Sequence, residues 1–326
     1  MTAYESAISS SALFDVSNRG KIEFVGPDAP SFLHNLCTND VANLPLGGGC
    51  EAFFTTAKAK IVGRALIYHA RSSNGEDALW LDTDPGQAER LLQHLSRYQI
   101  AERFEMSDRT ADFAQFHLAG PAAHDVLSRA LKEPVPDIQP LMHMERTFGA
   151  NATCSIRRND TLGLPGYDIV CLKSRAEDVR RLLLDAGAAL GSEEAYEVLR
   201  VEAGTPVVGI DLDENRFVVE TGRMNAISYA KGCYLGQEPI VMARDRAGHV
   251  NRAFRGLRLA AVVPPGTKLF AGDKDVGVTA SSLVSPRFGA IALAFVRRGS
   301  ETPGTRLDIA GTPSPGAAEV VALPMR

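Results

Sequence analysis

The sequence predicts an α+β protein: duplicated α/β halves forming a ligand-binding region, followed by a small C-terminal antiparallel β-barrel. Three observations carry this. A strand–turn–helix unit occurs twice with its Gly-Pro turns 94 residues apart, at Gly26 and Gly120. A second strand–helix pair recurs with Leu91 and Leu182 as equivalents, 91 residues apart. From Phe254 onward there are only short strands separated by Gly/Pro turns. A chain of 326 residues has room for about two domains and for a sizeable core.

In the first copy, Lys21 to Val25 (KIEFV) reads as a strand that turns at Gly26-Pro27 into the helical PSFLHNL. In the second, Ala114 to Leu118 (AQFHL) turns at Gly120-Pro121 into AHDVLSRAL. Proline suits a helix's first turn, because its missing N–H would be unbonded there anyway. Ala78 to Leu81 (ALWL) then leads into PGQAERLLQHL, as Ile169 to Leu172 (IVCL) leads into SRAEDVRRLLL. Both helices show helical apolar spacing behind a polar first turn. The repeat sets the halves at about 1–110 and 111–248, with a cleft expected between them. The tail strands FRGLRL, KLF, DVGVTASSLV, AIALAFV, RLDIA and EVVAL predict a barrel or sandwich over 249–326.

Composition narrows the function classes. The net charge of −4 gives no basic footprint for nucleic acid. Five cysteines without a C-x-x-C pair argue against a disulfide framework or a structural zinc. The seven histidines lack metal-ligand spacing, so no metal is expected. Met1 to Ser11 does not read as a signal peptide, and no apolar run approaches the roughly 20 residues of a membrane span. A cytoplasmic protein is the expectation. Gly47-Gly48-Gly49 lacks the GK[ST] of a phosphate loop and reads as a hairpin loop.

The densest group of reactive side chains is Lys231 to Arg246, KGCYLGQEPIVMARDR. Gly232 and Gly236 allow a sharp turn or close approach of backbone to a ligand. Cys233 beside Lys231 could carry a lowered pKa. The residues alone fit better a solvated lysine, a small buried thiol and a turn.

Lys231-Gly232-Cys233-Tyr234-Leu235-Gly236-Gln237-Glu238 resembles the K-G-C-[FY]-x-G-Q-E signature of the YgfZ family. Other stretches resemble the wider glycine-cleavage T-protein (aminomethyltransferase) superfamily. They are Phe14-Asp15-Val16-Ser17, Thr38-Asn39-Asp40-Val41, and Leu199-Arg200-Val201-Glu202-Ala203-Gly204-Thr205-Pro206 with Gly209-Ile210-Asp211. The resemblance spans nearly the whole chain. It implies a folate-binding duplicated region, a C-terminal β domain, and tetrahydrofolate or a one-carbon derivative as ligand.

One departure separates the branches. Gly63 and Arg64 stand where T-proteins carry an acidic pair near the folate's reactive nitrogen. Glycine cannot stabilise a cationic transfer centre, and arginine opposes one. The T-protein run Y-T-G-E-D-G-F-E is here Thr161 to Asp168, TLGLPGYD. Aminomethyl transfer is therefore not expected, whereas pterin binding is.

Within that resemblance, Glu202 is the first candidate to clamp the pterin edge through two hydrogen bonds, and Asp168 the second. Arg244 is the candidate for the folate's glutamate tail, and Tyr234 for packing on a ring. The YgfZ-like branch implies help in assembling or repairing iron–sulfur clusters. Its partners would be client enzymes or assembly proteins, with Cys233 supplying thiol chemistry and Lys231 tuning it. Gly232, Gly236, Gln237 and Glu238 complete the loop. Two alternatives stay open: a folate-dependent aminomethyltransferase or demethylase, and a folate-binding module without chemistry.

Overall fold

The duplication is visible in the order of elements. The structure, a computed structural model, describes residues 1–72, 74–311 and 316–326, and at 246–247 the backbone alone. Helix α1 (Ala3–Ser9) and strand β1 (Ala12–Asp15) precede the first copy. That copy runs β2 (Gly20–Val25), α2 (Ala29–Leu36), β3 (Gly49–Thr55), β4 (Ile61–Arg71), β5 (Asp77–Thr83), α3 (Ala88–Ser96) and β6 (Glu105–Asp108). The second repeats the pattern with β7 (Phe113–Ala119), α4 (Ala123–Leu131), β8 (His143–Phe148), β9 (Ala152–Arg158), β10 (Gly166–Leu172), α5 (Ala176–Asp185) and β11 (Ala189–Leu190).

The sheet orders match too. The first sheet is β3-β4-β5-β2-β6 and the second β8-β9-β10-β7-β1-β11. In the second sheet β1, from ahead of the first copy, lies beside β7 where β6 lies beside β2 in the first. The chain's start therefore completes the second copy, which a repeat search confined to the two copies does not reveal.

Each sheet is apolar on one face. Phe116, Leu118, Ile156, Tyr167 and Ile169 pack with Val126 and Leu127 of α4 and Leu183 of α5. Ile22, Phe24, Ile67 and Leu81 pack with Phe32 and Leu33 of α2 and Leu91 of α3. The period of two in the strands and the helical stripes on α2 to α5 produce these layers. Gly26 and Gly120 hold equivalent turns, at φ +140° and +133°. A Cβ on Gly26 would meet the Arg103 carbonyl oxygen at 2.5 Å, and one on Gly120 the Ala7 carbonyl oxygen at 2.5 Å. Only glycine fits such a backbone at such a distance.

After α6 (Glu193–Ala203) and α7 (Gln237–Met242) come the strands of the tail. These are β12 (Arg252–Leu259), β13 (Lys268–Ala271), β14 (Lys274–Ser285), β15 (Gly289–Arg297), β16 (Arg306–Ile309) and β17 (Ala318–Val321). They close as a barrel in the order β12-β15-β14-β13-β16-β17, the antiparallel barrel expected from sequence.

The chain forms two compact units. One comprises 1–56, 62–196 and 225–235; the other comprises 57–61, 197–224 and 236–326. The second therefore reaches further back than the expected boundary at 248. Arg200 of α6 shows why: it donates to Asp211 at 2.8 Å and to Ser281 of β14 at 2.8 Å. Asp211 also accepts from Ser281 Oγ at 2.6 Å. These bonds hold 197–224 to the barrel.

Candidate functional site

In the first unit the polar strand faces meet. Gln115 of β7 donates to Asp82 of β5 at 2.6 Å, and Arg157 of β9 lies over the Tyr68 ring of β4 at 4.5 Å. Arg19 also bonds Asp82, at 2.6 Å. The side chains that face the expected cleft between the halves are buried: Asp82, Gln115, His117, Arg157 and Asp168 are all at most 3% exposed. Burial drives the pKa of Lys21 down to about 8, with Asp82 opposing and Arg157 and Arg19 assisting. For Arg19, burial works toward deprotonation, but Asp82 and Asp84 outweigh it and hold the guanidinium charged.

Asp168 lies within this layer. His117 Nδ1 bonds one carboxylate oxygen at 2.8 Å, and Asn159 donates to the other at 2.6 Å. Burial pushes the carboxyl up, yet His117, Arg19 and Asn159 together hold it below the usual range. Nearby polar atoms are unsatisfied. Tyr68 OH, Gln115 Oε1 and His117 Nε2 are buried and have no hydrogen-bond partner among the described residues. Such atoms are costly unless water or a ligand meets them. This donor and acceptor set around a carboxylate suits a flat heterocycle with an amino and N–H edge, so the residues fit the pterin that the resemblance implies.

Of the residues around this carboxylate the sequence named only Asp168 as a candidate; Tyr68, Gln115, His117, Asn159, Arg19 and Arg157 were not among its candidates. A signal was present: Gln115 and His117 alternate with Ala114, Phe116 and Leu118, so a strand with an apolar outer face has a polar inner one. Their repeat equivalents in β2 are Lys21 and Glu23, also polar and buried.

The two positions of the missing acidic pair point in opposite directions. A Cβ on Gly63 would lie 3.3 Å from Leu91 of α3, in the apolar layer. Arg64 turns inward and bonds Glu51 at 2.5 Å, with Asp84 at 3.4 Å. Only position 64 could hold an inward acid, and there an arginine neutralises the carboxylates beside it.

The K-G-C segment is tied to α2. Lys231 donates to the carbonyls of His34, Cys37 at 2.9 Å and Asn39 at 2.8 Å. These carbonyls lie at and beyond the C-terminal end of α2, where a cation suits the helix dipole. Burial lowers the Lys231 pKa, while the groups raising it include Cys37, Asp40 and Cys50. The expectation that Lys231 tunes Cys233 is therefore corrected: its ammonium is committed to backbone oxygens elsewhere. Further ties are Thr38 Oγ1 to the Ala226 carbonyl at 2.6 Å, and Leu235 N–H to the Asn35 carbonyl at 2.9 Å. Between these anchors Cys233 is exposed, whereas Cys37, Cys50, Cys154 and Cys171 are buried. Tyr234 is buried, its ring 4.8 Å from the Lys231 ammonium.

Glu202 and Arg244 belong to the second unit. Ser285 of β14 donates to Glu202 at 2.5 Å, and Arg287 lies 3.9 Å away. This carboxylate fastens α6 to the barrel, a placement that speaks against a pterin clamp. Arg244 is exposed and pairs with its neighbour Asp245. Gly236, at φ +81°, forms the N-cap of α7, with Gln237 and the exposed Glu238 in the first turn. Glu238 suits the positive end of that helix. Among the described residues, no group of three or more His, Cys, Asp or Glu is placed to hold a metal.

The GCVT N-terminal domain model matches residues 3–231, and the glycine cleavage T-protein C-terminal barrel domain model matches 252–325. The chain belongs to the glycine cleavage T-protein family. An aminomethyltransferase of Rubrobacter xylanophilus is 28% identical, over 98% of this chain and 84% of its own length. A probable aminomethyltransferase of Natronomonas pharaonis is 30% identical, over 99% and 89%. A relative from Arabidopsis thaliana, whose name places it in the chloroplast, is 28% identical over 90% of this chain and 67% of its own length. The fold matches the crystal structure of the glycine cleavage system aminomethyltransferase T from Bartonella henselae. That match has a TM-score of 0.87 at 21% identity, covering 99% of this chain and 88% of the other. Among the described residues, no helix is long and apolar enough to cross a membrane.

Proposed function

We propose that this T-protein family member binds a reduced folate in the polar layer of its first unit, with Asp168 holding the pterin. The observation that carries this is the set of three buried, unsatisfied atoms on Tyr68, Gln115 and His117 beside that carboxylate. Asp168 would accept from the pterin's amino and N–H edge, while His117 and Asn159 keep it ionised and oriented. Gln115 Oε1 and Tyr68 OH would bond further polar atoms of the ring. Bound tetrahydrofolate supplies one-carbon carriage at its reduced nitrogens.

The test is a thermal melt with tetrahydrofolate. A ligand at a hundredfold excess over its Kd stabilises the native state by about 2.7 kcal/mol. Wild type and Glu202→Ala should both show the shift. Tyr68→Phe, which removes a hydroxyl without breaking a bond among the described residues, should keep its fold and lose most of it. An equal shift in Tyr68→Phe and Asp168→Asn would remove this layer from the site.

Beyond folate binding, we infer a YgfZ-like role in assembling or repairing iron–sulfur clusters in client enzymes. The exposed Cys233 would supply the thiol in a cytoplasmic setting. Five free thiols support a reducing compartment. Client-enzyme activity in a deletion strain complemented with wild type or Cys233→Ala tests this, and full rescue by the variant would favour a module without chemistry. The second reading, aminomethyl transfer, draws on the names of the relatives. Arg64 weighs against it by neutralising Glu51 and Asp84. Turnover in a glycine-cleavage assay with the other components supplied would restore it.

A further inference from the structure

Two buried thiols face each other across one strand pair. Cys154 of β9 and Cys171 of β10 are register partners, each 1% exposed. The bonding phase of this ladder can be read from its end. Asn159 N–H donates to the Gly166 carbonyl at 3.0 Å, so 159 and 166 form a hydrogen-bonded pair. The neighbouring Arg158 turns its N–H and carbonyl the other way, to Met142 at 2.9 Å and Leu141 at 2.8 Å. Bonded and non-bonded pairs alternate along an antiparallel ladder. Counting along it, 157–168 and 155–170 are bonded, whereas 158–167, 156–169 and 154–171 are not.

Non-bonded pairs bring side chains closest, with Cα atoms about 4.5 Å apart. A disulfide accepts Cα separations from about 4.4 to 6.8 Å. A non-bonded pair falls at the short end of that range, so the register favours closing a bond with little strand movement. The Cys154 thiol donates to the Ala152 carbonyl at 3.3 Å. The neighbouring Cys171 and burial push Cys154 up, while Cys154 lowers Cys171 against burial. Cys171 is thus the better nucleophile of the two.

We propose that Cys154 and Cys171 are an oxidative modification site, closing a reversible cross-strand disulfide by exchange with a low-molecular-weight disulfide. The Cys171 thiolate attacks one sulfur of R–S–S–R, forming a mixed disulfide and releasing R–S⁻. The Cys154 thiolate then attacks the Cys171 sulfur and releases the second R–S⁻. The two released thiolates take up the protons given up by the cysteines. Two protein thiols are oxidised to one disulfide, and one small disulfide is reduced to two thiols. Access comes through β8, the edge strand beside β9, most of whose residues are partly or fully exposed. Its local release is a low-cost opening compared with global unfolding. The disulfide would lock β9 to β10, the pair that carries Arg157 and Asp168. The inference does not depend on the folate reading.

The experiment uses the full chain with Cys233→Ser, which removes the exposed thiol. It is incubated folded with oxidised glutathione, quenched in acid, alkylated in denaturant and mapped by mass spectrometry. The expected result is loss of alkylation at both Cys154 and Cys171, with a peptide linking them that dithiothreitol separates. Cys37 and Cys50 should stay alkylated. In Cys154→Ser, glutathione should remain attached at Cys171, because no second thiol displaces it. Full alkylation of Cys154 and Cys171 would overturn the proposal, as would a link that forms only after unfolding in denaturant.

Discussion

The Lys231 ammonium donates to the carbonyl of Cys37 at 2.9 Å, fastening the K-G-C segment to the end of α2. Two further carbonyls, of His34 and Asn39, complete its set. Lysine has three N–H donors, and each has a backbone oxygen to meet. Hydrogen bonds to charged groups contribute roughly 1.5–3 kcal/mol each, without simple additivity. Lys231→Ala should therefore cost about 2 kcal/mol or more in urea unfolding. Arginine should not restore the loss, because a planar fork cannot reproduce three converging bonds. An unchanged midpoint in Lys231→Ala would contradict this role.

The same geometry changes what governs Cys233. Its reactivity should follow access, since Lys231 is committed elsewhere and the other four thiols are buried. Brief labelling of the folded protein with a small alkylating agent should modify Cys233 well ahead of Cys37, Cys50, Cys154 and Cys171. Lys231→Ala should not slow it. A slower Cys233 in that variant would reinstate the lysine as its activator.

Gly26 and Gly120 allow a test of the duplication itself. Each turns from a strand into a helix at positive φ, against the backbone just before the adjoining strand. For Gly26 that strand is β6, and for Gly120 it is β1. A left-handed or rarer backbone on a residue with a Cβ costs on the order of 1–3 kcal/mol, and the collision adds to it. Gly26→Ala and Gly120→Ala should each destabilise by at least about 2 kcal/mol in denaturant melts. A neutral effect at either site would mean that the two turns are not equivalent.

Much of the fold was legible because it rests on local rules. The Gly-Pro turns, the period-two strands and the short Gly/Pro-bounded strands of the tail each encode their own element. The entry of β1 into the second sheet was not legible, because strand neighbours are chosen by long-range packing. The sequence also named Asp168 and Cys233 as candidates, and the proposed function rests on them. It misled at Glu202, whose place in a run gives no hint that its carboxylate meets Ser285, 83 residues on. It misled likewise at Lys231, whose sequence neighbour Cys233 is not its partner in space. Adjacent residues on an irregular segment have no fixed reason to face one another.

His143 offers a titration that reports on the polar layer. Its Nε2 bonds the His69 carbonyl at 2.9 Å, and its ring stands edge-on to Tyr68 with centroids 5.6 Å apart. Burial lowers its pKa to about 4, with the Arg157 cation adding to the shift. An unfolded histidine titrates near 6.5, so on acidification the unfolded chain takes up this proton first. Stability should be complete above about pH 6.5 and fall toward pH 4, by up to on the order of 3 kcal/mol from this group. Below that range, protonation of the depressed Asp168 carboxylate adds a further loss. Melting temperatures measured across pH 4.5 to 7 should show a slope in wild type that His143→Gln flattens, since glutamine can donate to the same carbonyl without titrating. An identical slope in the two proteins would place the acid sensitivity outside this ring.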